Sequence, residues 1–398
     1  MSVRPRWSLA LLAFALIPAA CSGPGEEGGG TSVPPPGGTV TKLTSGGRIS
    51  SASISRNGRF VAYASTSPTP GADHNAGQPD VFVLDRSTSA ISRVSTGNGA
   101  SESPSVGDDG SIVFRSSSTD LGAPGAGARL NAFRWTPTGG VTRITDSPAD
   151  VLAPLLSADG STVVFGAPES LNTPGGSTRT QTFRWTASAP TVFTMVPAVG
   201  TGGSTPVAIG PAGDRVVLAE PGRLSMFDGA STSLIASAPP SPAAPHTATF
   251  AVAPHAIADD GDVVYAEVTY SYDPSAGVLA FENGTAHRWD RQTAAVSTLG
   301  VSGLPAGPVQ SADGRHVLYS DLTAVGVDQD TSPGFLPGAI RSLDTTSGSN
   351  VTVVAAPQAT FGTVSGDGRY AALVSTDPAL ASPDSTTDPV LYLWDRGS

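Results

Sequence analysis

SISRNGRFVAYAS, residues Ser53 to Ser65, followed after a polar loop by DVFVLDRSTSAISRV, residues Asp80 to Val94, decides the fold. Asn57-Gly58 is a dipeptide that tight hairpin turns select, because both positions tolerate positive φ. The run after it, Phe60 to Ser65, is nearly continuous in apolar character and rich in β-formers, as expected of a strand covered on both faces. A third strand, Val81 to Asp85, is joined by a short turn to an outer strand, Ile91 to Ser95. With the strand before the glycine turn, the unit has four antiparallel strands.

The unit recurs seven times. Its turn glycines are Gly58, Gly110, Gly160, Gly213, Gly261, Gly314 and Gly368, spaced 48 to 54 residues apart. The residue before them is Asn57, Asp109, Asp159, Ala212, Asp260, Asp313 or Asp367. Third strands repeat as AFRWT at Ala132–Thr136, TFRWT at Thr182–Thr186, AHRWD at Ala286–Asp290 and LYLWD at Leu391–Asp395. No helical periodicity follows the N-terminal segment. Repeats of this length, each unable to bury its own faces, predict an all-β, seven-bladed β-propeller of four-stranded antiparallel blades. The seventh unit lacks an outer strand of its own, whereas Thr39 to Thr44 precedes the first unit and matches outer strands such as Val141–Thr145. This N-terminal strand is expected to pair beside Val390–Trp394, completing the last blade and closing the ring without an open edge.

These turns and strands resemble the WD40-like (PD40) repeat of TolB-type propellers, and the stretch Pro70 to Arg86 (PGADHNAGQPDVFVLDR) is especially close. The resemblance spans Thr39 to Arg396. It implies the propeller fold; in function the family ranges over ligand platforms, enzyme appendages and assembly scaffolds.

Arg4 and Arg6 precede an apolar run, Trp7 to Ile17, too short for the ~20 residues that span a bilayer. Pro18-Ala19-Ala20 then leads to Cys21, the only cysteine. The arrangement resembles a bacterial lipoprotein signal, which implies a signal peptide over 1–20, a lipid on Cys21 and an exported protein anchored to the membrane, periplasmic or at the cell surface. The domains expected are that signal, a Gly/Pro-rich tether over 21–38 and the propeller over 39–396.

A formal net charge of −11 argues against a nucleic-acid partner. No G-x-S-x-G elbow and no Cys/His metal spacing occurs, and the sequence assigns no catalytic residue. The expected role is a monomeric binding or scaffold module that touches the membrane only through Cys21 and presents a propeller face to a protein, peptide or glycan. Its site is expected on the longest insertion, a long loop over Thr269 to Thr285 with Tyr270, Tyr272 and Phe281, and on His246 at the entry to the same blade. The alternative is a hydrolase or lyase of an extracellular or cell-wall polymer, its site assembled from loops at the channel mouth. Carboxylates with a basic or histidine partner there would favour the enzyme, and an apolar patch would favour the binding module. No cofactor is expected, although Asp73, Asn75 and Asp80 in blade 1, and Asp328 and Asp330 in blade 6, alternate oxygen side chains as calcium sites do.

Overall fold

The computed structural model describes residues 37–397 except 69, 73, 123–128, 173–175, 239–245, 274–277, 302–303, 323–338, 356–358, 377–379 and 381–387. Twenty-eight strands are described, and they form seven four-stranded antiparallel sheets, one per repeat. The protein is the seven-bladed propeller that the repeats predict. The first strand of each blade lies innermost, and the core fills the spaces between neighbouring sheets. Ile54, Tyr63, Phe82 and Leu84 of blade 1, for example, pack against Val374, Leu391 and Leu393 of blade 7. Because each sheet is covered on both faces, its inner strands must be apolar at successive positions.

Ring closure follows the expected register. Thr39–Lys42 is the outer strand of blade 7, with Thr39 opposite Asp395, Val40 opposite Trp394 and Lys42 opposite Tyr392. The Leu43 amide extends the ladder to Leu391 O (2.8 Å), and Trp394 Nε1 donates to Gly37 O (3.0 Å).

The repeated turn between first and second strands has a clear physical logic. In all seven, the glycine amide donates to the carbonyl three residues back, and the glycine φ lies between +67° and +97°, a region closed to most side chains. Where the turn begins with serine, its hydroxyl braces the loop twice. Ser55 Oγ donates to Asn57 Oδ1 (2.7 Å) and accepts from the Phe60 amide (2.9 Å); Ser157, Ser311 and Ser365 repeat both contacts.

Successive turns also bond to one another around the channel. Amides of Asp108, Asp159, Asp259, Ala312 and Gly366 donate to carbonyls of Ala158, Pro211, Ala312, Gly366 and Arg56 in the next blade. Between blades 1 and 2, the Asn57 amide donates to the Asp108 carboxylate (2.7 Å). Pro211 has no N–H to give. There the Arg215 guanidinium takes over, donating to Asp259 O (2.9 Å). The circuit is complete.

The insertion Thr269 to Thr285 is not a loop. The second and third strands of blade 5 run on through it, as Val263–Asp273 and Val278–Trp289, and make a hairpin far longer than the strands of 5 to 7 residues in blade 4 next door, Val216–Glu220 and Arg223–Phe227, and in the remaining blades.

Candidate functional site

The second residue of each repeated turn faces the ring centre at one channel mouth. Going round, these residues are Arg56, Asp108, Ala158, Pro211, Asp259, Ala312 and Gly366. Three of the seven are charged, and they interact. Arg56 of blade 1 reaches across the channel to form an ion pair with Asp259 of blade 5. Its side chain is 14% exposed while that of Asp259 is 62% exposed, so the carboxylate faces solvent and the guanidinium plugs the opening. Asp108 is half-buried, and burial raises its pKa above the usual carboxylate range, against the opposing pull of the Asn57 amide and the Arg56 charge.

His255, at the end of the inner strand region of blade 5, completes the group. Its Nδ1 lies 2.8 Å from Val364 O in blade 7. A carbonyl can only accept, so Nδ1 carries the proton and Nε2 is left with its lone pair. Burial pushes the imidazole pKa down to about 4, with Arg56 adding to the shift, so the ring is neutral at ordinary pH. A narrow cleft behind the mouth is lined by Arg56, His255, Ser105, Val106, Leu156 and Ile209. The arrangement therefore offers a half-buried carboxyl, an ion pair and a neutral imidazole at one opening.

The His255 shift has a measurable consequence. The unfolded imidazole takes up a proton near pH 6.5, whereas the folded one refuses it down to about 4. Stability present above pH 6.5 is thus lost as pH falls through that window, by on the order of 3 kcal/mol at 1.36 kcal/mol per pKa unit. His287 and His316 are displaced in the same direction by burial. His255→Gln should visibly flatten the decline of melting temperature between pH 6.5 and 4. An unchanged slope would remove His255 as its source.

The residues expected from sequence lie elsewhere. Tyr270 and Phe281 are directly opposite one another in the blade 5 hairpin, Tyr272 is opposite Leu279, and His246 is opposite Ser271. The backbone thus gathers all four at one end of one sheet, on the face away from the charged mouth; their side chains lie outside the described residues. Cys21, Asp73, Asp328 and Asp330 also lie outside them. Asn75 and Asp80 are described, and both are buried. Asp80 forms an ion pair with Arg93 and accepts from Ser95 Oγ (2.8 Å) and Asn75 Nδ2 (3.2 Å), so its charge braces the blade 1 loop from within. Among the described residues, no three His, Cys, Asp or Glu side chains converge on a metal site.

Sequence reading missed Arg56, Asp108, Asp259 and His255. The signal for the first three was present in the repeat: of the four turn positions, aligned over the seven copies, the second is the one that carries charge of both signs.

No family model and no curated protein matches the chain. Solved structures do. An oligogalacturonate lyase in complex with manganese superposes with a TM-score of 0.55 at 13% identity, over 89% of this chain and 92% of that one. The oligogalacturonate lyase of Vibrio parahaemolyticus gives 0.54 at 12% identity, over 89% and 93%. The Cps50 (Swd1) propeller domain of Myceliophteria thermophila gives 0.51 at 14% identity, over 89% and 99%. The likeness is one of fold.

Proposed function

We propose that the protein is an exported enzyme, a hydrolase or lyase acting on an extracellular or cell-wall polymer, with its site at the charged channel mouth. The observation that carries this reading is the convergence of Asp108, Asp259, Arg56 and His255 where an apolar patch would have favoured a binding module. Asp108, whose pKa burial raises, would serve as the proton donor, and the neutral His255 imidazole differs from it in the way that paired acid and base groups do. Arg56 would offset negative charge on the ligand or developing at the reacting bond. Two oligogalacturonate lyases that match over more than nine-tenths of their own length support the idea that such a ring needs no appended catalytic domain.

The test is to incubate the protein with a panel of neutral and acidic polysaccharides and follow chain length and unsaturated ends. One polymer should be shortened, and Asp108→Asn should lower kcat by about a hundredfold or more without moving the melting temperature greatly. If the folded protein shortens none, the catalytic reading fails.

A second reading, a binding or scaffold module for a protein, peptide or glycan, has its own observation. The most exposed large apolar side chains among the described residues, Val192, Met195, Val199, Leu234 and Val296, all lie on or beside the outer strands of blades 3, 4 and 5. In either reading the N-terminal segment would export the chain and anchor it through Cys21. Cys21→Ser should then move it from the membrane fraction to the soluble one.

A further inference from the structure

Three Asn-Gly pairs occur in the chain: Asn57-Gly58, Asn98-Gly99 and Asn283-Gly284. This dipeptide is chemically labile, because glycine leaves its amide nitrogen uncrowded for attack on the neighbouring carboxamide. Two of the three are held out of reach. The Asn57 carboxamide accepts from Ser55 Oγ and the Arg59 amide and donates to Asp108 O, while the Gly58 amide is committed to Ser55 O. Asn98 accepts from Ser118 Oγ and the Thr119 amide and donates to Thr119 Oγ1.

Asn283 is different. It is exposed on the third strand of blade 5, and its described hydrogen bond comes from the nitrogen that would attack it: the Gly284 amide donates to Asn283 Oδ1 at 2.9 Å. Once that nitrogen loses its proton, the lone pair lies where the hydrogen was, pointing at the carboxamide. The strand is also irregular here, with Asn283 opposite Thr269 but Phe281 opposite Tyr270, so an extra residue already loosens the ladder.

We propose that Asn283 is a self-modification site, the place where the folded protein deamidates. The Gly284 nitrogen attacks Asn283 Cγ, the new C–N bond closes a five-membered succinimide, and Nδ2 leaves as ammonia with the displaced proton. Solvent water then opens either carbonyl, giving aspartate or isoaspartate. Both products add a negative charge to the hairpin. Isoaspartate also inserts one atom into the main chain, which breaks the pairing from Thr269 outward, including Tyr270 with Phe281 and Tyr272 with Leu279. The hairpin tip thereby acquires a finite lifetime in its original form, whichever activity the ring carries.

The experiment is to age the full-length folded protein in mildly alkaline buffer and map peptides by mass spectrometry, beside a denatured sample. In the folded sample, conversion at Asn57 and Asn98 should be at least about tenfold slower than at Asn283, the factor that about 1.4 kcal/mol of restraint represents. In the denatured sample the three should convert at similar rates. Gly284→Ala should slow conversion at Asn283 and leave the other two unchanged. Equal rates at the three sites in the folded protein, or no conversion at Asn283 while the denatured chain converts, would overturn the proposal.

Discussion

Deleting residues 1–45 should lower the melting temperature sharply, while deleting residues 1–36 should leave it nearly unchanged. The short deletion spares the Gly37 carbonyl that Trp394 Nε1 uses, together with the whole Thr39–Lys42 strand. The longer one strips the outer strand from blade 7. Trp394, fully buried in the cluster between blades 6 and 7, loses Val40 from that cluster, and the Leu391 and Leu393 backbone becomes a free edge. Burial of Val40 and Leu43 is partial, so each contributes about 1 to 2 kcal/mol. Four or five ladder bonds add about 1 kcal/mol apiece. The sum is a large share of the stability of an ordinary domain. For a chain of this size it corresponds to a fall on the order of 10 °C. Differential scanning calorimetry of the two truncations reads it directly, and matching transitions would mean that this strand does not close the ring.

That prediction could be drawn from sequence, and the reason is instructive. A repeat reports each element seven times, so a position that tolerates noise in one copy is fixed by the others. The missing outer strand after Trp394 and the surplus strand at Thr39 then fit together by elimination. The hairpin of blade 5 was read as a loop because Asp273-Pro274-Ser275-Ala276-Gly277 is strong turn chemistry, and it drew the flanking residues into the same reading. The alternation of Tyr270 and Tyr272 with small polar residues was the strand signal. The sequence shows the charge of Asp80 but not Arg93, thirteen residues on, folded back against it. The pairing across the charged mouth is harder to read than its charges. Arg56 and Asp259 are 203 residues apart, and only the closure of seven blades brings their turns onto one circle.

The same joint makes the second large prediction. Gly362 lies in the inner strand of blade 7, Ala359–Val364, and a Cβ added there would fall inside the van der Waals envelope of the Ala52 carbonyl oxygen in the inner strand of blade 1. Neither backbone can easily yield. Next door, Thr363 Oγ1 accepts from the Ile54 amide (2.8 Å) and donates to Ile54 O (3.1 Å), and the Gly366 amide bonds Arg56 O (2.6 Å). The Ser105 hydroxyl holds the Leu156 amide in the same way between blades 2 and 3 (3.1 Å), so the contact recurs at a second joint. Gly362→Ala must therefore separate the inner strands of blades 7 and 1, costing about 3 kcal/mol or more, at the upper end for overpacking. Gly300→Ala is the control, since nothing lies within 4 Å of a Cβ there. It should stay within about 0.5 kcal/mol of the parent. Urea unfolding midpoints separate the two outcomes. A Gly362→Ala protein as stable as the control would mean that the inner strands of blades 1 and 7 do not approach as closely as this seam requires.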